Sequence, residues 1–562
     1  MGLGNYDLKN FKKLFSANEK ICVPFFQRPY SWGKTQYMQF VDDLKKVYDE
    51  KKESYFIGSL FFIEKDKEKT VLIIDGQQRI TSATIFICVI RDILFSLNDS
   101  RASEIEREYL NKTDLKTRNP YYKLTLGDIN LSFFTKWIQE KDKPENKLEK
   151  LKNESMNDSN KLISDCYKDY YKNICSWTKG LEQKNKIDYL IDILEALTDK
   201  FQSLTVTITD EDEAFTIFET LNDRGVDLTI ADLLKNYLFL ILYKKIEDSE
   251  LRVLIVKWDF MIAQLGDSIT SFFKHYWNSH NAPISEKEIY KTLKKTTKSI
   301  AEVKQFLNKI FDESLVYYNL LNPEHAYWKN KQIERLLCEI SQLGMRQCLP
   351  LLMAAKFKLP DTEFTKIIDS CIGLSFRYST VCNLHNNKLE GHYSSVANKI
   401  REGKISKISE IRDSLKALNP KDEIYNEFFK NLAYKKNTTP RYILRKINDS
   451  LDEGKEIVGS DEITLEHIIP DTPHPKSGWK DFMKENKINH QEVVYKLYNM
   501  TILGQEYNGE ASSKSFKDKL PMYKKSKLLI NKTLKKYSTW TQEQMNDWGN
   551  YLLLKSKEIW KI

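Results

Sequence analysis

The sequence predicts an α+β fold, predominantly helical, and three observations carry that expectation. Alternating strand and helix signals occupy the N-terminal region, whereas residues 245–420 show almost pure helical periodicity. Only 14 prolines and 19 glycines punctuate 562 residues. Hydrophobic residues make up 41% and charged residues 30%, a balance that excludes disordered and collagen-like chains and leaves a helix-rich globular protein. At roughly 150 residues per domain the length holds about three or four folding units. The pattern divides into residues 1–244, 245–420 and 421–562.

The elements follow in order. Gly58–Ile63 and Val71–Ile74 are apolar runs separated by polar Glu64–Thr70, which predicts a hairpin, and Ile80–Leu97 then carries a helical pattern. The mixed-charge stretch Glu140–Asn160 reads as an exposed insertion or loop. Leu204–Thr209 alternates as a half-buried strand does, and Thr229-Ile-Ala-Asp232 opens an apolar helix with a capping box. Within the helical pattern Ile333–Lys358, Pro350 should kink or divide the helix.

No apolar run reaches the length of a membrane span, and the N-terminus MGLGNYDLKN lacks the apolar core of a signal peptide, so a cytoplasmic address and no membrane partner are expected. Eight cysteines without a C-x-x-C pair read as reduced core thiols, which argues against a cysteine zinc site. A net charge of +9 is too mild to mark a nucleic-acid binder by itself. Its distribution is more telling: from Ala511 to Lys536 nine lysines face the single acid Asp518. Lys514, Lys517, Lys519 and Lys524 are candidate phosphate contacts on DNA, with a solvated lysine-rich surface as the plainer alternative.

Three blocks in the N-terminal half suggest anion chemistry. Ile74-Asp75-Gly76-Gln77-Gln78-Arg79 lies where a strand hands over to a helix, so unpaired N–H groups attract anions and Arg79 can fork onto a phosphate. Asp75 can hold a metal or orient a water, and Gln77 and Gln78 can bond phosphate, base or water. A D-G turn closed by an Arg ion pair is the structural alternative. Pro24-Phe25-Phe26-Gln27-Arg28-Pro29-Tyr30-Ser31-Trp32 could stack a base and clamp a phosphate in a rigid loop through Gln27 and Arg28, or form an aromatic core corner with a buried Arg. Phe218–Gly225 holds Asn222-Asp223-Arg224-Gly225, either a C-cap turn or a polar lip for a ligand.

A second constellation lies near the C-terminal end. Glu466-His467-Ile468-Ile469-Pro470 is followed by Asn499 and then by Asn508. A His and two Asn in this order are expected of a ββα-metal nuclease hairpin and helix. There neutral His467 would accept a proton from water attacking phosphorus, Asn499 would hold the loop or the imidazole, and Asn508 would ligate Mg²⁺ or a similar ion. Glu466 is a further candidate metal ligand, although neighbours on a regular strand point to opposite faces. Singly, Glu-His beside isoleucines also reads as a buried, satisfied pair, and His474 and His490 read as surface residues.

Taken together, Phe26-Gln27-Arg28-Pro29-Tyr30-Ser31-Trp32, the DGQQR box at Asp75–Arg79, Phe218–Gly225 with Ala231-Asp-Leu-Leu-Lys-Asn236, and the Glu466-His467/Asn499/Asn508 set resemble GmrSD-type restriction proteins. The resemblance covers both ends of the chain and less of the helical middle. It implies an N-terminal ParB/sulfiredoxin-like nucleotide-binding module and a C-terminal HNH-like nuclease module. It also implies a nucleoside triphosphate (GTP favoured, ATP or a deoxynucleotide open), Mg²⁺ or Mn²⁺, and double-stranded DNA carrying modified cytosine or phosphorothioate. Asp75, Gln77, Gln78, Arg79, Gln27 and Arg28 inherit the nucleotide site. Tyr498, Met500 and Ser513 depart from the family pattern. The expected protein is a nucleotide-dependent endonuclease of a prokaryotic anti-phage defence system, with homo-oligomerisation open. The rival is a nucleotide-responsive DNA-binding regulator that does not cut.

Overall fold

A computed structural model describes residues 5–16, 20–25, 27–64, 70–113, 118–208, 229–243, 245–451, 463–505, 507 and 514–562. Phe218–Gly225 and Asn508 lie outside the described residues. The chain is α+β and predominantly helical, as its patterning predicts. It packs into two compact units, Met1–Val256 with Thr296–Val303, and Lys257–Lys295 with Lys304–Ile562. The helical stretch set apart on sequence thus groups mainly with the C-terminal segment.

The first unit is built on a six-stranded mixed sheet in the order β1-β8-β3-β4-β2-β7. The strands are β1 (Asn5–Asn10), β2 (Lys20–Cys22), β3 (Tyr55–Glu64), β4 (Thr70–Asp75), β7 (Leu124–Thr125) and β8 (Phe201–Ile208). A separate pair joins β5 (Asn111–Thr113) to β6 (Pro120–Tyr122). The expected hairpin is the antiparallel pair β3/β4, and the helix that follows spans Gln77–Ser96. That helix is apolar nearly all round, so it lies buried with neighbours on several sides, among them the helix Asp158–Trp177.

Two charged side chains on this helix explain a departure from the sequence reading. Arg91 and Asp92 are wholly buried. Arg91 donates to the carbonyls of Gln139, Ile138 and Glu140, while Asp92 accepts from Tyr167 and pairs with Lys147 Nζ at 2.8 Å. The stretch expected as an exposed loop therefore contains a helix, Pro144–Asn153, with Lys147 and Leu151 buried, and Asn157 caps the next helix. A lysine that neutralises an internal carboxylate looks in sequence like one that faces water.

In the second unit the pattern Ile333–Lys358 is divided rather than kinked. The helix Lys331–Gln342 ends before Gly344, whose φ is +65°, and Pro350 sits in the first turn of Leu349–Lys356, where its missing N–H costs nothing. Trp560 stacks on Phe376 with ring centroids 3.8 Å apart. Strands β9 (Ile463–His467) and β10 (Met500–Gly504) pair antiparallel, with His467 opposite Met500 and Glu466 opposite Thr501. The helix Phe516–Lys525 follows, and Trp548 of the helix Gln542–Ile559 bonds the Met500 carbonyl. The eight cysteines are free thiols. Among the described residues no helix is long and apolar enough to cross a membrane.

Candidate functional site

In the first unit the DGQQR box sits on a turn that only glycine permits. Gly76 has φ +91°, and a Cβ there would lie 2.2 Å from Leu60 Cδ2. From this turn Arg79 reaches back to β3, donating to the carbonyls of Ser59 at 2.8 Å and Ile57 at 3.2 Å, and pairs with Asp75 at 3.3 Å. Gly58, with φ +102°, leaves the room the guanidinium occupies, since a Cβ there would meet Nη1 at 2.4 Å. The fork expected for phosphate is engaged with the protein itself, a correction whose cause is the irregular β3 backbone, which turns two carbonyls toward Arg79.

The glutamines join the box to the aromatic loop. Gln27 Nε2 donates to the Ile74 carbonyl at 3.1 Å and Gln77 Nε2 to the Arg28 carbonyl at 3.0 Å. Gln78 accepts from Ser31 N–H at 2.9 Å and donates to Pro29. These residues, with Asn130, form the polar wall of a cavity whose apolar wall includes Val23, Phe25 and Leu126. The enclosed space is about 20 Å³, room for one water. Among the residues predicted for a nucleotide, Arg28 presents an exposed side chain at the rim and Asp75 is half-buried at the end of β4.

In the second unit His467 ends β9. Its Nε2 is buried and has no hydrogen-bond partner among the described residues. Burial pushes the imidazole below its ordinary pKa; Asp471 opposes that shift and Lys519 adds to it. Tyr495 stands edge-on to the ring and donates to Asp471 at 2.8 Å. Asp471 and Tyr495 were missed on sequence, although Asp471 directly follows the Glu466–Pro470 run.

Asn499 is wholly buried and takes the loop-holding role rather than touching the imidazole. Its Oδ1 accepts from Ile469 N–H at 2.9 Å and from the Trp540 indole, and its Nδ2 donates to the carbonyls of Ile469 and Val494.

Glu466 and Lys519 depart from their expected roles. Glu466 is buried on the face opposite His467 and its carboxylate is 2.5 Å from Lys519 Nζ, so it faces an internal lysine rather than a metal. Lys519 in turn is wholly buried and cannot reach a DNA phosphate from there. Lys517 and Lys524 are exposed and Lys514 is half-buried, while Lys525 and Lys527 enlarge the exposed basic face. His474 is exposed, but His490 is half-buried and bonded to the Pro470 carbonyl. For a divalent ion, no group of three or more His, Cys, Asp or Glu side chains converges among the described residues. The donor that fits a divalent ion beside His467 is the carboxylate of Asp471.

Fold and sites define a two-part protein, with a polar pocket at a strand-to-helix turn in one unit and an available imidazole on a hairpin in the other. Residues 11–239 match the model for the N-terminal domain of the GmrSD restriction endonuclease, and residues 419–554 match that for the C-terminal domain of GmrSD restriction endonucleases. The chain belongs to the GmrSD-type restriction endonuclease family. That membership gives it a restriction nuclease role in defence, with DNA as substrate. No curated protein matches it.

Proposed function

We propose that the chain is a metal-assisted DNA endonuclease of the HNH type whose cutting is regulated by nucleotide hydrolysis in the N-terminal unit. The observation that carries the nuclease assignment is the free Nε2 of His467, held neutral by burial at the end of β9. A water attacks phosphorus and gives its proton to Nε2, the P–O bond to the leaving oxygen breaks, and that oxygen takes up a proton from solvent. Asn508 and Asp471 would hold Mg²⁺ or Mn²⁺, which when bound supplies positive charge to the crowded phosphate oxygens. Lys517 and Lys524 meet the DNA backbone, with Lys514 beside them.

For the nucleotide, Arg28 at the cavity rim is the phosphate contact and Asp75 the group that orients water or a metal, with GTP favoured. Support comes from the loop–box junction. Its cavity of about 20 Å³ is far smaller than a nucleotide, so a nucleotide seated within it would displace the Gln27–Trp32 loop. This displacement is the conformational signal that nucleotide turnover would set and release. The restricted DNA is foreign or modified, carrying modified cytosine or phosphorothioate.

The test is plasmid DNA incubated with the protein, Mg²⁺ or Mn²⁺ and a panel of GTP, ATP and deoxynucleotides, on unmodified and modified DNA. Nicking or linearisation that disappears in His467→Ala is expected. DNA that is retarded but uncut would replace the enzyme with a regulator.

A further inference from the structure

We propose that Lys519 is a positioning residue for the nuclease: a buried ammonium that, with Asn499, fixes the two peptide planes following His467 and so aims the imidazole. The inference rests on the reading of His467 as the base and deepens it.

The ammonium has three protons and the structure offers three acceptors: Glu466 Oε1 at 2.5 Å, the His467 carbonyl at 3.0 Å and the Ile468 carbonyl at 3.1 Å. The N–H ends of the same two peptide units are held from the other side. Ile468 N–H donates to the Asn499 carbonyl at 2.8 Å, and Ile469 N–H to the Asn499 side chain at 2.9 Å. Each peptide plane is therefore fixed at both its oxygen and its nitrogen. The ψ of His467, which places the ring relative to the hairpin, is left little freedom.

The helix that delivers Lys519 is fixed in turn. Phe516, Lys519 and Tyr523 lie on its buried face, and Phe516 stacks on Trp540, whose indole N–H reaches the Asn499 carboxamide. Lys519 and Asn499 are thus tied through the same aromatic ring. Glu466 serves as counterion: it neutralises a charge that would otherwise be too costly to bury.

This assignment competes directly with a phosphate contact and with a metal-binding Glu466, and kinetics separates them. In Glu466→Gln an acceptor oxygen remains for Lys519. Losing the counterion should lower the thermal midpoint, while cleavage assayed well below that midpoint keeps its Mg²⁺ midpoint; a large shift in the Mg²⁺ midpoint would overturn the proposal by making Glu466 a ligand.

In the double variant Glu466→Gln/Lys519→Met both charges are gone, so the thermal midpoint should stay closer to wild type than in Lys519→Met alone. Its kcat should fall roughly tenfold to a hundredfold, the scale of a misplaced reacting group, at unchanged KM and DNA affinity. Wild-type kcat in the folded double variant would sink the proposal, as would a loss of DNA affinity with a shallower salt dependence at unchanged kcat. Should the double variant not fold, Lys519→Met assayed below its own thermal midpoint carries the same test, a fall in kcat at unchanged KM supporting the proposal and wild-type kcat overturning it. The underlying nuclease reading has its own control: if His467→Ala cuts like wild type, that reading fails whatever Lys519 does.

Discussion

A histidine that takes a proton from water has to be neutral and has to keep a lone pair free, and the surroundings of His467 provide both. Its folded-state pKa is lowered, chiefly by burial. The neutral form therefore persists as pH falls through the ordinary histidine range near about 6.5, and is lost only below it. Single-turnover cleavage should stay level on going down to that range and decline beneath it. Asp471 pulls the pKa up and is also the proposed metal ligand, so Asp471→Asn should raise the Mg²⁺ midpoint and, at saturating metal, move the acid limb to still lower pH. A rate that already drops between about pH 8 and 7 would contradict both expectations. The sequence showed His467 and Asn499 by their order, but it could not sort the lysines. Lys517 and Lys519 are two positions apart and compositionally identical, yet helical geometry turns one to water and the other into the core.

At the scale of elements, the hairpins and the helix starts were legible because their causes are local. The runs Gly58–Ile63 and Val71–Ile74 became β3 and β4, and the Thr229/Asp232 box caps its helix through reciprocal bonds. What escaped is long-range: Lys147 meets Asp92 across 55 positions, and Arg79 is drawn to carbonyls exposed by an irregularity in β3. Asn499 is the clearest element-scale device, since its carboxamide mimics a peptide and extends the β9/β10 ladder to Ile469. Asn499→Leu would leave the Ile469 N–H and carbonyl and the Trp540 indole unpaired, at roughly 1–3 kcal/mol for each group that stays dry. A fall in the denaturant midpoint, together with lost cleavage, is expected; unchanged stability would mean that the loop is held elsewhere. Gly76→Ala should also destabilise, by about 1 kcal/mol or more, because a left-handed φ and a 2.2 Å contact combine there.

At the scale of the whole molecule, the residues proposed for nucleotide turnover and for cutting sit in different compact units, so single substitutions should separate the two activities. Arg28 is suited to the test because its side chain is exposed at the cavity rim, and truncating such a side chain rarely changes stability by more than about 0.5 kcal/mol. If its guanidinium holds a phosphate, Arg28→Ala removes a charge-assisted hydrogen bond of about 1.5–3 kcal/mol, which corresponds to roughly a tenfold to hundredfold rise in the nucleotide KM. Cleavage should then require correspondingly more nucleotide, while saturating nucleotide restores it, because the hairpin carrying His467 is untouched. His467→Ala should do the reverse and abolish cutting with nucleotide turnover intact. Steady-state phosphate release and plasmid cleavage, measured side by side across a nucleotide titration, report both. Were Arg28→Ala to leave both titration curves where wild type has them, the cavity at the loop–box junction would be a structural seam, and the regulation of cutting would have to be sought outside it.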